Sequence, residues 1–282
     1  MRKLVSVLLT IFILIPGLCW AQNGFVLLAS TIGPIDSGIV GALEDAFEKD
    51  TGIRVRHVGA GTGAALKIAE NGNIDIVMAH AKALEEKFIQ DGFGTERIPL
   101  MYNDFVILGP PADPAGIKGM KTGAGALKAI AAKQALLITR GDKSGTHVAE
   151  MVIWTNAGIK PSGPWYLTYE KGSLGNVPTT KFADEKGAYV FMDRATYLAL
   201  KKTIKLVILV ENDDALINYI SLIPVNPKKF PRVNNADAMV FAKWLTDPAK
   251  GQKLIADFGK DKYGAPLFFP NSKEWQALNK KK

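Results

Sequence analysis

The sequence predicts an α/β fold in two lobes, each a sheet flanked by helices. Three observations carry that expectation. From residue 25 to 80 short apolar strands alternate with amphipathic helices. A second alternating set begins near Asp104, after which an apolar stretch at 222–225 leads into two more amphipathic helices that can pack back on the first sheet. About 260 residues are enough for two lobes of ordinary size. Alternation of this kind implies a mainly parallel sheet, with loops and ligands at the carboxyl ends of its strands.

The elements follow in order. Phe25–Leu28 reads as a strand that runs through Ser30, Thr31, Ile32, Gly33 and Pro34 to a helix capped by Asp36 or Ser37. That helix carries Ile39, Leu43 and Phe47 at four-residue spacing and stops at Gly52. A strand at 53–58 precedes the turn Gly59–Gly63, a helix at 64–70 and an apolar strand at 74–79. Beyond the strand 104–109 and Pro110–Pro111 come a helix at 125–133, a strand at 135–139 and a helix at 146–156. Strands at 189–192 and 206–210, a helix at 194–201, and helices at 234–245 and 249–258 complete the reading. Stretches near residues 104 and 220 would be the hinge crossings, giving lobe one as 22–103 with 222–282 and lobe two as 104–221. A single doubly wound domain is the other reading that this length allows.

The first 21 residues have a different character. Arg2 and Lys3 precede an apolar run from Leu4 to Ile15, a Pro16–Gly17 break and the small-residue exit Cys19-Trp20-Ala21. This is the pattern of a secretory signal peptide, residues 1–21, and it implies a periplasmic or other extracytoplasmic protein. Cys19 is the only cysteine, and Pro16, Gly17 and Leu18 before it do not make a lipidation site. With cleavage after Ala21, disulfides and cysteine chemistry are excluded. Loss of Arg2 and Lys3 takes the net charge from +8 to +6. The basic residues are scattered over helix faces, and export argues against nucleic acid as a partner.

The segment from Arg140 to His147, between an apolar strand and a helix, has the composition of an anion site. Ser144 and Thr146 offer hydroxyl donors, Gly145 permits close backbone approach, and the first N–H groups of the helix point the same way. Arg140 adds a guanidinium fork that Asp142 can hold in place. A helix-capping turn would contain the same residues without any ligand. Ser30 and Thr31, and Gly61, Thr62 and Gly63, also fall between a strand and a helix, so three donor-rich loops can converge on one crevice. A dianion that carries no proton wants donors alone, which favours tungstate, molybdate or sulfate over protonated phosphate.

Enzyme patterns fit less well. Lys143-Ser144 is preceded by Asp142, outside the P-loop pattern, and Ser144 is followed directly by Gly145, outside the nucleophile elbow. A secreted hydrolase using Ser144 with His147 would lack an evident third group. His57, His80 and His147 have no paired ligand spacing, so neither a metal site nor a cofactor is expected.

Gly61-Thr62-Gly63, His80-Ala81, Met101-Tyr102-Asn103-Asp104-Phe105-Val106, Arg140-Gly141-Asp142, Ser144-Gly145-Thr146-His147, Trp165-Tyr166, Asp193-Arg194 and Val225-Asn226-Pro227 occur in this order along the chain. In these segments it resembles the tungstate-binding components of Tup-type ABC importers, within the type II periplasmic-binding-protein fold. The resemblance covers nearly all of the chain after the leader. It implies two mixed sheets joined by two hinge crossings, a monomer that hands tungstate or molybdate to a permease and its ATPase, and an anion held by the three loops with Arg140 as the charged contact. Where the family shows a run of three threonines and a serine, this chain has Ser30-Thr31-Ile32-Gly33. Backbone N–H groups at Ile32 and Gly33 are the donors left there.

Overall fold

The computed structural model describes residues 25–280; the expected signal peptide and Cys19 lie outside them. The first half runs β1 (Phe25–Thr31), α1 (Ile32–Asp36), α2 (Ile39–Thr51), β2 (Arg54–Ala60), α3 (Thr62–Ala69), β3 (Ile76–Ala79), α4 (Lys82–Gln90) and β4 (Ile98–Gly109). The middle holds α5 (Gly123–Lys133), β5 (Leu137–Thr139), α6 (Gly145–Asn156), β6 (Tyr166–Thr168), α7 (Asn176–Lys186), β7 (Tyr189–Asp193), α8 (Arg194–Leu200) and β8 (Val207–Val210). The chain ends with β9 (Ile217–Pro224), α9 (Asn235–Thr246), α10 (Gly251–Asp257), α11 (Lys260–Tyr263), β10 (Phe269–Pro270) and α12 (Lys273–Asn279).

The strands form one connected path, β2-β1-β3-β9-β4-β7-β5-β6, with β8 and β10 also paired to β4. Two sheets share it because β4 is long: its residues 98–104 pair with β9, while 105–108 pair with β7. The sheets are mixed where alternation alone implies a mainly parallel arrangement. Pairs β1–β2, β1–β3, β5–β6 and β5–β7 are parallel, but β4 and β9 pair antiparallel to each other, β9 runs antiparallel to β3, and β4 to β7. Strands that cross between sheets and return must oppose each other, and helical crossovers do not constrain them.

Each half has its own core. Leu28, Phe47, Met78, Leu222 and Phe241 are wholly buried on one face of the first sheet, and Ala65, Val77, Phe88 and Ile223 on the other. In the second half Phe105, Ile130, Trp154 and Phe191 fill one face and Val106, Ile138, Val190 and Leu206 the other. Sequence alternation on the strands sets these faces, since successive side chains point to opposite sides. Arg194, at the start of α8, grips the crossing: its Nε donates to Asp104 Oδ1 at 2.8 Å, and its Nη1 lies 2.8 Å from Glu211 Oε2.

Element boundaries moved for local reasons. The helix expected to be capped by Asp36 or Ser37 begins at Ile39, with Gly38 as its N-cap at φ 86°, because residues 32–36 form the separate short helix α1. Strand β4 begins at Ile98, earlier than expected, because Pro99 interrupts the apolar pattern and its place in the sheet is marked by a register shift against β9.

A buried carboxylate ties α6 to β5. Glu150 accepts hydrogen bonds from Thr139 Oγ1 at 2.7 Å, Trp154 Nε1 at 3.0 Å and Tyr166 Oη at 2.8 Å. Burial pushes its carboxyl above the ordinary value, although the three donors pull the other way. A carboxyl whose folded-state pKa is raised favours the fold most below its unfolded pKa, and that contribution is lost as pH rises through the folded value. Melting temperatures of wild type and Glu150→Gln, measured from pH 4 to 8, are therefore expected to shift in favour of the variant as pH rises. A difference independent of pH would show that Glu150 titrates normally.

Candidate functional site

The site begins with sheet register. Thr31 pairs with Ala60 of β2, and Ser30 pairs with Met78 of β3. Thr31 therefore stands between the turn that opens α3 and the turn at His80, all at the carboxyl edge of parallel strands. The hydroxyls of Thr31 and Thr62 are buried without a hydrogen-bond partner. An unmade buried hydrogen bond costs about 1–3 kcal/mol, so two such donors on neighbouring loops call for an acceptor. Neither α1 nor α3 has a side-chain cap, which leaves the first N–H groups of both, including Ile32, Gly33 and Gly63, open to the same space.

Ser30 departs from expectation. Strand alternation turns it to the opposite face from Thr31, where its hydroxyl meets Thr31 O at 3.3 Å and Met78 Sδ at 3.7 Å. It stands behind Thr31 rather than beside it. Ser221, the third orphan hydroxyl among the described residues, lies opposite Ala79 on β9, one strand further from Thr31.

The Arg140 loop is a fixed assembly. The guanidinium donates from Nε to Gly172 O at 3.2 Å, from Nη1 to Asn176 Oδ1, and from Nη2 to Asp142 Oδ2 at 2.5 Å. Three of its five N–H groups are thereby committed, and two remain. Asp142 Oδ1 also accepts from Ser144 N at 3.1 Å. Burial works against the Asp142 charge, yet its hydrogen bonds with Ser144 and Arg140 hold the carboxyl below the usual range. Gly172 sits so close that a Cβ there would lie 2.1 Å from Arg140 O. Lys143 takes φ 59°, an uncommon conformation for a residue with a side chain.

Ser144 caps α6, its Oγ accepting from His147 N at 3.4 Å. Thr146 instead spends its hydroxyl on Asn176 Oδ1 at 3.2 Å, so its outward donor is the backbone N–H. With Ser144 N bound to Asp142, Gly145 and Thr146 present the free N–H groups of the first turn. A hydrolytic arrangement is absent here: His147 Nδ1 accepts from Lys143 N at 2.9 Å, so Ser144 Oγ has no base to activate it. No three His, Cys, Asp or Glu side chains gather to hold a metal ion among the described residues.

Asn176, Asp193 and His80 join the cluster without having been picked out as site residues. Asn176 Nδ2 donates to Asp193 Oδ2 at 2.5 Å, and Asp193 in turn caps α8 through Thr196 N at 2.8 Å. Asn176 lies in a stretch of glycine and polar residues with no periodicity to mark it. His80, from the first half, packs against Gly145 of the second. The two halves also meet electrostatically: burial raises the Asp36 carboxyl, the Arg140 charge draws it down and Asp193 pushes it up.

A cavity of about 470 Å³ lies on the other face of β4, lined by Tyr102, Asp104, Arg194, Glu211, Asp213 and Phe269. Its carboxylates make it a poor host for an anion.

The profile of the PBP superfamily domain matches residues 20–249. The tungstate-binding protein TupA of Peptoclostridium acidaminophilum is 41% identical, with 96% of this chain and 99% of that protein aligned. TupA of Campylobacter jejuni is 37% identical over 84% of this chain and 88% of its own. The solved tungstate-binding protein TupA from Desulfovibrio alaskensis G20 superposes with a TM-score of 0.80 at 44% identity, covering 89% of this chain and all of that one. With that fold, that coverage and a donor cluster between its halves, the chain belongs to the PBP superfamily and, within it, to the family of the TupA proteins.

Proposed function

We propose that this protein is the extracytoplasmic receptor of an ABC importer and that it captures a tetrahedral oxyanion, tungstate first, between its two lobes. The observation that carries this reading is the pair of orphan hydroxyls at Thr31 and Thr62 in the first half, with the N-terminus of α6 and an immobilised Arg140 brought up from the second half where Gly145 meets His80. The relatives named for tungstate binding support the choice of anion. The ligand set we propose is Thr31, Gly61, Thr62, Gly63, Arg140, Ser144, Gly145 and Thr146, with Ser30 supporting Thr31 from behind. The lobes are taken as 22–103 with 222–282 and 104–221, with the pairing of Asp104 and Ile217 lying at the hinge between them. The chain acts as a monomer that docks with a permease, whose ATPase drives import.

The chemistry is exchange of water for fixed donors. A dianion entering the open cleft loses its hydration shell and gains hydroxyl, N–H and guanidinium donors held without rearrangement, while Asp142 and Asp193 keep their oxygens occupied. Binding to both lobes at once biases the closed form. Molybdate, sulfate and phosphate are the competitors. One feature favours a protonated anion such as phosphate: Asp36, near Arg140, offers an acceptor.

Calorimetric titration with tungstate, molybdate, sulfate and phosphate separates these readings: tungstate heat with weak or absent phosphate heat is expected, and a flat tungstate trace would sink the proposal. Arg140→Ala is expected to weaken tungstate binding at least about 100-fold, from loss of a charged donor set, and to lower the melting temperature as well, since Asp142 and Asn176 lose their partner. Equal affinity would put the charged contact elsewhere. Gly172→Ala, which drives a Cβ into Arg140 O, is expected to lower both affinity and melting temperature; an unaltered affinity would show that the loop tolerates displacement.

A further inference from the structure

Asn176 opens α7 directly after Gly175, whose φ of 113° turns the chain. The backbone sets its place: Thr180 Oγ1 donates to Asn176 O at 2.9 Å, and Thr179 and Thr180 behind it are wholly buried. The side chain meets three partners at once. Its Oδ1 accepts from Arg140 Nη1 and from Thr146 Oγ1, and its Nδ2 donates to Asp193 Oδ2 at 2.5 Å. The neighbours fix which way the amide faces, because a guanidinium can only donate and a carboxylate can only accept. Reversal would set N–H against N–H and oxygen against oxygen.

Asp193 anchors this arrangement. It caps α8 through Thr196 N at 2.8 Å and accepts from Thr196 Oγ1 at 2.6 Å. Helix α8 is wedged between the cores: Ala195 is buried in that of the first half and Leu198 packs against it, whereas Tyr197 packs on the second. Through Asn176, the Arg140 guanidinium and the first turn of α6 are tied to a helix that both cores hold.

Charge makes the amide matter. Arg140 brings one positive charge to this hydrogen-bonded group, and Asp142 and Asp193 bring two negative ones. Position 176 touches the guanidinium that is to face the anion. A carboxylate there would fill the same space and accept the same hydrogen bonds from Arg140 and Thr146, yet it would add a third negative charge beside an incoming dianion. The amide holds Arg140 without neutralising it.

We propose that Asn176 is a positioning residue of the oxyanion site: a neutral acceptor, oriented by Asp193, that aims Arg140 and the α6 N-terminus and leaves the guanidinium charge for a dianion. This rests on the oxyanion reading above.

The test is calorimetric titration of sodium tungstate into wild type, Asn176→Ala, Asn176→Asp and the exchange variant that combines Asn176→Asp with Asp193→Asn, with melting curves for each. Alanine releases Arg140 from one of its partners, and affinity is expected to fall about 10-fold. Asn176→Asp sets a carboxylate against Asp193 and is expected to lower the melting temperature and to weaken binding by about 100-fold. The exchange variant separates positioning from simple support of the fold. It restores a donor and an acceptor between the two positions at unchanged total charge, so the melting temperature is expected to recover. The negative charge now lies against Arg140, so affinity is expected to stay about 100-fold down. A merely structural role would restore both together, and an exchange variant that binds like wild type overturns the proposal. So does wild-type affinity in a folded Asn176→Ala or Asn176→Asp, and an exchange variant no more stable than Asn176→Asp overturns the assigned hydrogen bonds. Should Asn176→Asp not fold, the alanine and exchange variants decide. If wild type binds none of the four oxyanions, the oxyanion reading fails and this one with it, whereas wild-type binding matched by the exchange variant removes this one alone.

Discussion

The arrangement of the site depends on how Arg140 is held. A free arginine carries about 2 kcal/mol of rotamer entropy and would lose much of it on seizing an anion. Here the loss has been met in folding, because Gly172 O, Asn176 Oδ1 and Asp142 Oδ2 take one N–H each from three directions. The partners are themselves fixed. Asn176 hangs from Asp193, Asp193 caps α8, and Asp142 orders the turn into α6 through Ser144 N. A loop, three helix starts and the end of β7 thus form one polar network whose spare valences face outward. Such preorganisation spares binding the cost of ordering side chains.

Much of the fold was legible because hydrophobic periodicity is a local signal. The four-residue spacing of Ile39, Leu43 and Phe47 marks the buried face of α2, and Gly52 ends it in the left-handed conformation that a glycine stop implies. The direction of the pairing was not legible. Nothing in Asp104–Gly109 or Leu222–Val225 reveals that the two strands oppose each other, since strand order is decided by contacts more than 100 residues apart in sequence, as between Asn103 and Asn218. Helix α7 was missed for a different reason: its Thr179, Thr180 and Ala183 are buried, so polar residues occupy the face that periodicity would look for in leucine and valine.

At the site, composition points to loops, and geometry sorts their atoms. The strand-to-helix position of Thr31, Thr62 and Ser144 can be read from the chain, and so can the pairing of Arg140 with Asp142. What cannot be read is which way each donor faces. Ser30 and Thr31 are adjacent and chemically alike, yet the pleat sends one hydroxyl to Met78 and leaves the other without a partner. Thr146 reads as an outward donor and is turned inward by Asn176, a residue 30 positions away. The approach of His80 to Gly145 is equally hidden, since the two residues come from different halves.

The crossing strands β4 and β9 are paired to one another through Asn103, Asp104, Ile217 and Asn218. A receptor whose lobes are joined this way does not swing on slack tethers. It flexes as a hydrogen-bonded ribbon, and ribbons resist stretching while they yield to twist. Rotation of one half against the other is therefore shared between two strands held in register, and neither crossing can lengthen without breaking bonds to its neighbour.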